Sequence, residues 1–443
     1  MPHEQRPLRD VVDLTDPRLN STAPMAVEEV RARVRSGDAS RVREIPGHFA
    51  VVTRDGERVF LARSLGLPLR YFVAKLVDGP CLIAAHRIDA IHRWLDERGL
   101  AGQFHPSYTR MAPAHYVTEV ALIGCPDPAP KHLRFLGSGG GMLPPDLDVI
   151  GAAYVGALKA GIARRLAEIP QDEAIGVAFS GGADSGAVFL LAYATMLELG
   201  LSPARLKAFT LTFGGGGDLE QARTFLRRLG LEIFHEVVEA DAASLDATAI
   251  VRLVEDYKPL DVEAAAMTEA LARGVRARYP DWRQIFDGDG GDENLKDYPI
   301  EINEELTIRS VVANPMLYQE GWGVGALKHS LTYSGGLSRA CTRTFAPLLL
   351  HGFSGFSPHS LPDVVETAGR IPFAELAAGS HQRLYALKGE ILARGVRALT
   401  GFAMPVFPKR RFQHGALPIE RLAERLGGRE ADYRRAFHEA YGA

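Results

Sequence analysis

From Gly47 onward the chain alternates short apolar runs with turn-forming residues. "HFAVVT" and "RVFLAR" flank "RDGE", where Asp55-Gly56 marks a hairpin. "PLRYFVA", "CLIAA" and "HYVTEVAL" continue in the same style and predict a mostly antiparallel sheet, with a helix near "IDAIHRWLDERG". The residues before this region, 1 to about 40, are polar and short on periodicity, which predicts a partly irregular N-terminal segment.

A stretch from Leu136 to Asp146, "LGSGGGMLPPD", interrupts the pattern, and glycines followed by paired prolines mark a connection. Beyond it, "VIGAAYVGALKAGIARRLAEI" has helical spacing. The chain then alternates strand and helix: "AIGVAFS", "AVFLLAYATMLELG", "KAFTLTF", a helix from Asp218 to Gly230, and "EIFHEVV". Such alternation predicts a parallel sheet with helices on its faces. Past Tyr298 the reading is predominantly helical. The fold class is therefore α/β, with an antiparallel β-rich α+β domain over residues 1–136, a linker over 137–146 and a parallel-sheet domain over 147–443.

Composition narrows the class without naming a function. With 51 Lys and Arg against 54 Asp and Glu, the formal charge is −3, and no basic excess exists to displace the counterions of a nucleic acid. The N-terminus lacks an apolar run of signal-peptide length and no later run is long enough to span a bilayer, so a cytoplasmic protein without membrane partners is expected. Cys81, Cys125 and Cys341 are far apart and lack zinc-type spacing, which fits reduced thiols.

Candidate chemistry begins at Ser180. "SGGADS", Ser180 to Ser185, falls between the strand ending at Phe179 and a helix expected to begin near Ser185. Ligands gather at the carboxyl ends of parallel strands. Gly181 and Gly182 permit a sharp turn with N–H groups facing a ligand, and the helix N-terminus favours an anion. Ser180 and Ser185 add hydroxyls. Asp184 would repel phosphate unless a cation lay between them, which points to Mg2+. A glycine turn with Asp184 as an ordinary helix cap is the bland alternative. No lysine follows the glycines, so this is not the G-x-x-x-x-G-K-[ST] loop. A second cluster, "QIFDGDGGDENLKDYP", places Asp287, Asp289, Asp292 and Glu293 beyond another strand-like run, and crowded carboxylates call for a cation unless the loop is merely a solvated acidic one.

The first motif resembles the pyrophosphate loop of the N-type ATP pyrophosphatases, and the two together resemble the asparagine synthetase family, whose signature is SG(E/D)GADE. The resemblance implies ATP as substrate and Mg2+ as cofactor. It implies that Ser180, Gly181, Gly182, Asp184, Ser185 and Gly288 bind nucleotide, and that "FTLTF", with Phe209 and Thr210, lines the adenine pocket. Asp184 and Asp292 then match metal ligands and Asp289 matches the catalytic-turn acid. In "GDLEQARTFLRRLGLEIFHEVV", Asp218 and Glu220 fall at the family's acidic positions. "PVFPKRRFQHG" is similar to the family's R-x-K-x-G-F stretch, making Lys409 the catalytic lysine, with Arg410 or Arg411 as substitutes and a solvated basic face as the alternative.

"IPGHFAVVTRDGERVFLARSLGLPLRYFV" and "YTRMAPAHYVTEV" resemble a degenerate copy of the family's glutaminase (Ntn-type) domain. Pro2 stands where that domain has its nucleophilic cysteine, and no cysteine precedes Cys81, so glutamine hydrolysis is not expected. β-Lactam synthetases show the same loss. The family's PF(L/M)D segment, with its E-x-R pattern, is absent from "RTFAPLLLHGFSGFSPHSLPDVVETA". Tyr385, Lys388 and Glu390 sit at helical spacing and read as a surface face before a base or a substrate contact. The implied activity is an ATP-dependent C–N ligase, AMP-forming, joining a small-molecule carboxylate to an amine, a peptide being among the candidates and a homodimer compatible with it. An ammonia-dependent asparagine synthetase and a non-catalytic nucleotide-binding partner of a biosynthetic complex are the alternatives.

Overall fold

A computed structural model describes residues 9–121, 130–137, 141–297, 307–313, 341–408, 415–417, 419–427 and 429–442. The N-terminal half holds two four-stranded sheets. One has the order β1 (Asp10–Asp13), β5 (Gly79–Ala85), β4 (Arg70–Leu76), β6 (Arg110–Met111); the other runs β2 (Ala50–Asp55), β3 (Arg58–Arg63), β7 (Tyr116–Ala121), β8 (Lys131–Arg134). The β2–β3 hairpin closes at Gly56, φ +56°, where the type of turn needs a left-handed residue. Only β1–β5 is parallel.

The N-terminal segment is more regular than its polarity predicts. It contains β1, α1 (Val27–Arg35) and α2 (Ala39–Arg43). Val30 and Val34 form a two-residue apolar stripe on α1, which is too short to register as periodicity yet is fully buried. Asp38 caps α2 by accepting from Ser40 N–H. The expected helix after β5 is present as α3 (Ile88–Asp96).

In the C-terminal half, α4 (Leu147–Glu168) starts at the Asp146 cap. A five-stranded parallel sheet follows in the order β11 (His235–Glu239), β10 (Leu206–Thr212), β9 (Ile175–Ala178), β12 (Gln284–Phe286), β13 (Ser354–Phe356). The chain moves outward from β9 through β10 to β11, then returns to β9's other side with β12. This reversal leaves a crevice beyond the carboxyl ends of β9 and β12.

Helices α5 (Ala183–Glu198) and α6 (Asp218–Leu229) connect the first strands, and α7 (Ala247–Val254) and α8 (Pro259–Arg278) lead to β12. The described α-helices beyond it are α9 (Gly291–Leu295), α10 (Ile308–Ala313), α11 (Ala346–Leu350), α12 (Pro362–Gly369), α13 (Phe373–Ala377), α14 (His381–Thr400), α15 (Ile419–Leu426) and α16 (Glu430–Glu439).

One core packs α4, α5 and α14 against the sheet, around Tyr154, Phe189 and Ile391. A second lies between the sheet and α8, and continues into β4, β5 and α3 of the N-terminal half. Buried charge also joins the halves. Glu255, at φ +56°, pairs with Arg70 and Arg87, and Arg43 pairs with Asp363 and Glu366. Among the described residues, no helix is long and apolar enough to cross a membrane.

Candidate active site

Both glycine-rich motifs lie at the strand ends that flank the crevice. After β9 the chain turns through Ser180–Gly182 and enters α5 at Ala183, two residues earlier than the sequence suggests. Asp184 therefore sits in the first helical turn. Gly181 has φ +72°, and a Cβ there would meet the backbone nitrogen of Ala222 on α6 at 2.8 Å. Backbone conformation and close approach both require glycine at that position. No side chain caps α5, so its first N–H groups keep their donor capacity for an anion. Ser180 and Ser185 hydroxyls lie 3.3 Å apart, and Ser180 Oγ accepts from Gly182 N–H. Gln221 of α6 donates to the Ser180 carbonyl at 3.2 Å and fixes the loop from outside.

The acidic turn after β12 packs directly on this loop. A Cβ on Gly288 would approach Ser185 N to 2.8 Å, and one on Gly291 would approach Asp184 Oδ1 to 2.3 Å. Gly290, at φ +96°, opens α9. The two motifs thus touch, although about a hundred residues separate them.

Lys388 of α14 stands where they meet. Its Nζ donates to Asp184 Oδ2 at 2.9 Å and Asp292 Oδ1 at 2.5 Å, and pairs with Asp297 Oδ2 at 2.7 Å. The expected surface placement is wrong for this residue, which is only 8 % exposed. Helical spacing identifies a face but not what covers it, and here α4 and α5 pack around Leu384, Leu387 and Ile391 on the same side. Tyr385 and Glu390 are half-buried, with Glu390 paired to Arg383.

Burial raises the Asp184 carboxyl to about 6, a larger effect than the lowering by Lys388, and Asp292 adds to the rise. Burial opposes the charge of Lys388, but Asp184, Asp292 and Asp297 outweigh it and hold the ammonium above the usual lysine range. Three carboxylates share one ammonium. Asp184 Oδ1 is also buried without a hydrogen-bond partner among the described residues. An orphaned carboxylate oxygen in an acid-rich crevice fits a hard cation. Among the described residues no group of three or more His, Cys, Asp or Glu is arranged to hold a metal. A magnesium ion here would therefore rest on Asp184 and Asp292, with phosphate and water oxygens completing its shell, as is usual for that ion.

Asp287 and Asp289 lie on the other side of the turn. Burial raises Asp287 to about 6, while the Ser357 hydroxyl, donating to its Oδ2 at 3.0 Å, pulls the other way. Burial and then the Asp287 charge push Asp289 well above the carboxylate range. Among the described residues its Oδ2 has no hydrogen-bond partner. Glu293 is 4 % exposed, and its Oε1 also lacks one.

Several supporting residues have no signature in the sequence. Tyr154 of α4 hydrogen-bonds His359 Nδ1 at 2.8 Å and accepts from Asn294 Nδ2 at 3.1 Å, while the same amide donates to the His359 carbonyl at 2.7 Å. These bonds tie α9 to α4 and to the segment after β13. Burial drives His359 down to about 4, with the Lys388 charge acting in the same direction, so its ring is neutral near pH 7.

Two expected nucleotide residues are placed differently. Side chains alternate along β10. Phe209 packs on Tyr279, Trp282 and Gly176, so its ring lies in the core. Thr210 is buried, donates to the Phe179 carbonyl at 2.7 Å and lies 2.9 Å from His235 Nε2. Asp218 is buried at the start of α6, with Gly415 against its carboxylate, and Glu220, in the same first turn, accepts from the Thr224 hydroxyl. Lys409, Arg410 and Arg411 lie outside the described residues; Ala416, beyond them, accepts from Phe213 N–H.

Residues 156–337 match the family model for asparagine synthase. The matched span contains the 180–185 loop and the 287–293 turn but not Lys388. The chain is 29 % identical over 123 residues to a probable glutamine-hydrolyzing asparagine synthetase of Acanthamoeba polyphaga mimivirus, a match covering 28 % of this chain and 21 % of that protein. The chain thus spans about a fifth of the length of this curated relative.

Proposed function

We propose that this asparagine synthase-type chain is an AMP-forming amide ligase, which adenylates a substrate carboxylate and passes the acyl group to an amine without hydrolysing glutamine. The reading rests on one observation above the rest: Asp184 and Asp292, from the first helical turns beyond neighbouring strands, share the buried ammonium of Lys388. An anion arriving at the start of α5 meets uncapped N–H groups, two hydroxyls and that ammonium. Magnesium held by Asp184 and Asp292 would offset the charge of the phosphates.

The substrate carboxylate attacks the α-phosphorus and pyrophosphate leaves. The amine nitrogen then attacks the acyl carbon, AMP leaves with its bonding pair, and the amine gives up a proton. Asp289, whose Oδ2 is buried without a hydrogen-bond partner among the described residues, is the carboxyl of the acidic turn assigned to accept that proton. Positioning and electrostatics supply most of the rate in such transfers. The first cysteine, Cys81, is fully buried in β5 and burial pushes its thiol up to about 11, a poor setting for a nucleophile. Residues 1–136 then serve as scaffold, in a cytoplasmic protein.

ATP–pyrophosphate exchange with magnesium, across a panel of amino acids and other carboxylates, tests the reading. Exchange stimulated by one acid and abolished by Asp184→Ala supports it; near-normal exchange in that variant refutes the assignment of the loop. A second reading, an ammonia-using asparagine synthetase, requires activity with aspartate and ammonium; the viral relative's name supports the asparagine synthetase part of it and specifies glutamine hydrolysis for that protein.

A further inference from the structure

The N-terminal half reaches the crevice through His48, which is 5 % exposed. Its ring is gripped from both halves. Nδ1 lies 3.4 Å from Ser64 Oγ at the end of β3, and Nε2 lies 3.5 Å from Ser360 Oγ beyond β13. The ring meets Phe356 edge-on, with centroids 5.6 Å apart. Room for it is made by Gly66, where a Cβ would come within 2.5 Å of Nδ1.

The segment that His48 touches holds the acidic turn at two points. Ser357 donates to Asp287, and the His359 carbonyl accepts from Asn294 in α9. Ser360 Oγ in turn donates to the Ser357 carbonyl at 2.7 Å, which closes the segment into one short unit. Gly290 leans on His359, with only 3.2 Å between a Cβ at that glycine and the His359 Cβ. A side chain that fixes residues 357–360 therefore fixes both ends of the turn carrying Asp287, Asp289 and Asp292.

We propose that His48 is a positioning residue for the acidic turn, so that the N-terminal half is a structural part of the synthetase site. Burial holds His48 down at about 4, with the Ser357 backbone acting the other way. It is neutral at pH 7 and works through shape and hydrogen bonding. The reading of the turn as the magnesium–ATP site comes from the proposed function, but the effect of His48 on the turn's order does not depend on it.

The test uses the full chain as His48→Ala and His48→Gln, the glutamine restoring a polar amide near Ser360. Hydrogen exchange without ligand should quicken roughly tenfold over residues 284–297 and 354–361 in the alanine variant, stay unchanged over 206–239, and return close to wild type in the glutamine variant. Calorimetric titration with ATP in magnesium chloride should show about tenfold weaker binding in the alanine variant, again restored by glutamine, for a loss of about 1.4 kcal/mol. Unchanged exchange at the turn, an equal rise across the whole chain, or failure of glutamine to restore would each overturn the proposal. If the wild type itself binds no magnesium–ATP, the synthetase reading fails and the exchange arm alone decides the role of His48.

Discussion

Lys388 and Asp184, 204 positions apart in the chain, meet at 2.9 Å inside the crevice between β9 and β12. The contact joins the start of α5 to the middle of α14, and the same ammonium reaches Asp292 and Asp297. Charge balance in the site therefore depends on a helix that neither glycine-rich motif announces.

Replacing Lys388 with methionine keeps its length but leaves three neighbouring carboxylates with no ammonium. Removing one partner of a buried ion pair costs about 3–5 kcal/mol. The melting temperature should fall accordingly, and pyrophosphate exchange should drop at least a hundredfold. Magnesium should raise the melting temperature of the variant more than that of the wild type, because a cation would relieve the same repulsion. Equal magnesium shifts in both proteins would remove Lys388 from the charge balance.

Asp184→Asn separates catalysis from stability. The change is nearly isosteric and removes a carboxylate that burial already disfavours, with its pKa raised to about 6. For an acid with a raised folded pKa, the wild type loses stability as pH climbs from the unfolded value near 4 to about 6, and the amide does not. The variant should be as stable as the wild type or more so at pH 8, while exchange falls by roughly three orders of magnitude. Thermal melts and exchange assays on the same preparation check both halves.

Gly395→Ala tests how Lys388 is placed. α14 crosses α4 where Gly395 faces Gly151, and a Cβ on Gly395 would come within 2.2 Å of the Gly151 carbonyl oxygen. Backbone, not a flexible side chain, blocks the new methyl. Overpacking of this kind costs about 1–3 kcal/mol. Lys388 lies two helical turns away on the same helix, so activity should fall further than this loss of stability accounts for. A variant that is destabilised but fully active per folded molecule would show that the crossing does not set the lysine.

Asp256 offers a pH test outside the site. It is 1 % exposed, and burial raises its pKa to about 7 against the pull of Lys258. Its Oδ1 accepts from Tyr257 and Lys258 N–H, which an asparagine oxygen can also do, while Oδ2 has no hydrogen-bond partner. The charged form is disfavoured in the fold, so the wild type loses stability as pH rises from about 4 to about 7. Asp256→Asn should gain on the wild type over that window, by at most about 1.4 kcal/mol per pH unit, and level off above it. Denaturant melts at pH 5, 6 and 8 would show the trend, and a constant difference would refute it.

The sequence reveals the parts of the site that are made by loops. Ser180–Ser185 and Asp287–Glu293 stand out because glycines and acids are unusual at the end of an apolar strand, and both lie where the parallel-sheet reading puts them. It is silent on what depends on distant packing. Lys388 looks like one cation among several on α14, and its burial follows from the α4–α14 crossing at two glycines. Tyr154, Asn294 and His359 are ordinary residues whose bonds exist only after β13 has joined β12. Its strand singles out Phe209, and alternation along that strand turns its ring into the core. In α1 and α2 the regular structure rests on two valines and a capping aspartate.

The arrangement around Lys388 also bears on the order in which a growing chain can acquire its site. Translation delivers Asp184 first, Asp292 and Asp297 about a hundred residues later, and the lysine only after nearly a hundred more. Domains form from the N-terminus while synthesis continues. In that interval the sheet from β9 to β12 could pair, but Asp184 and Asp292 would still lack the Lys388 ammonium that they share in the finished fold. Closure waits for α14, so the nascent protein completes this crevice late in synthesis.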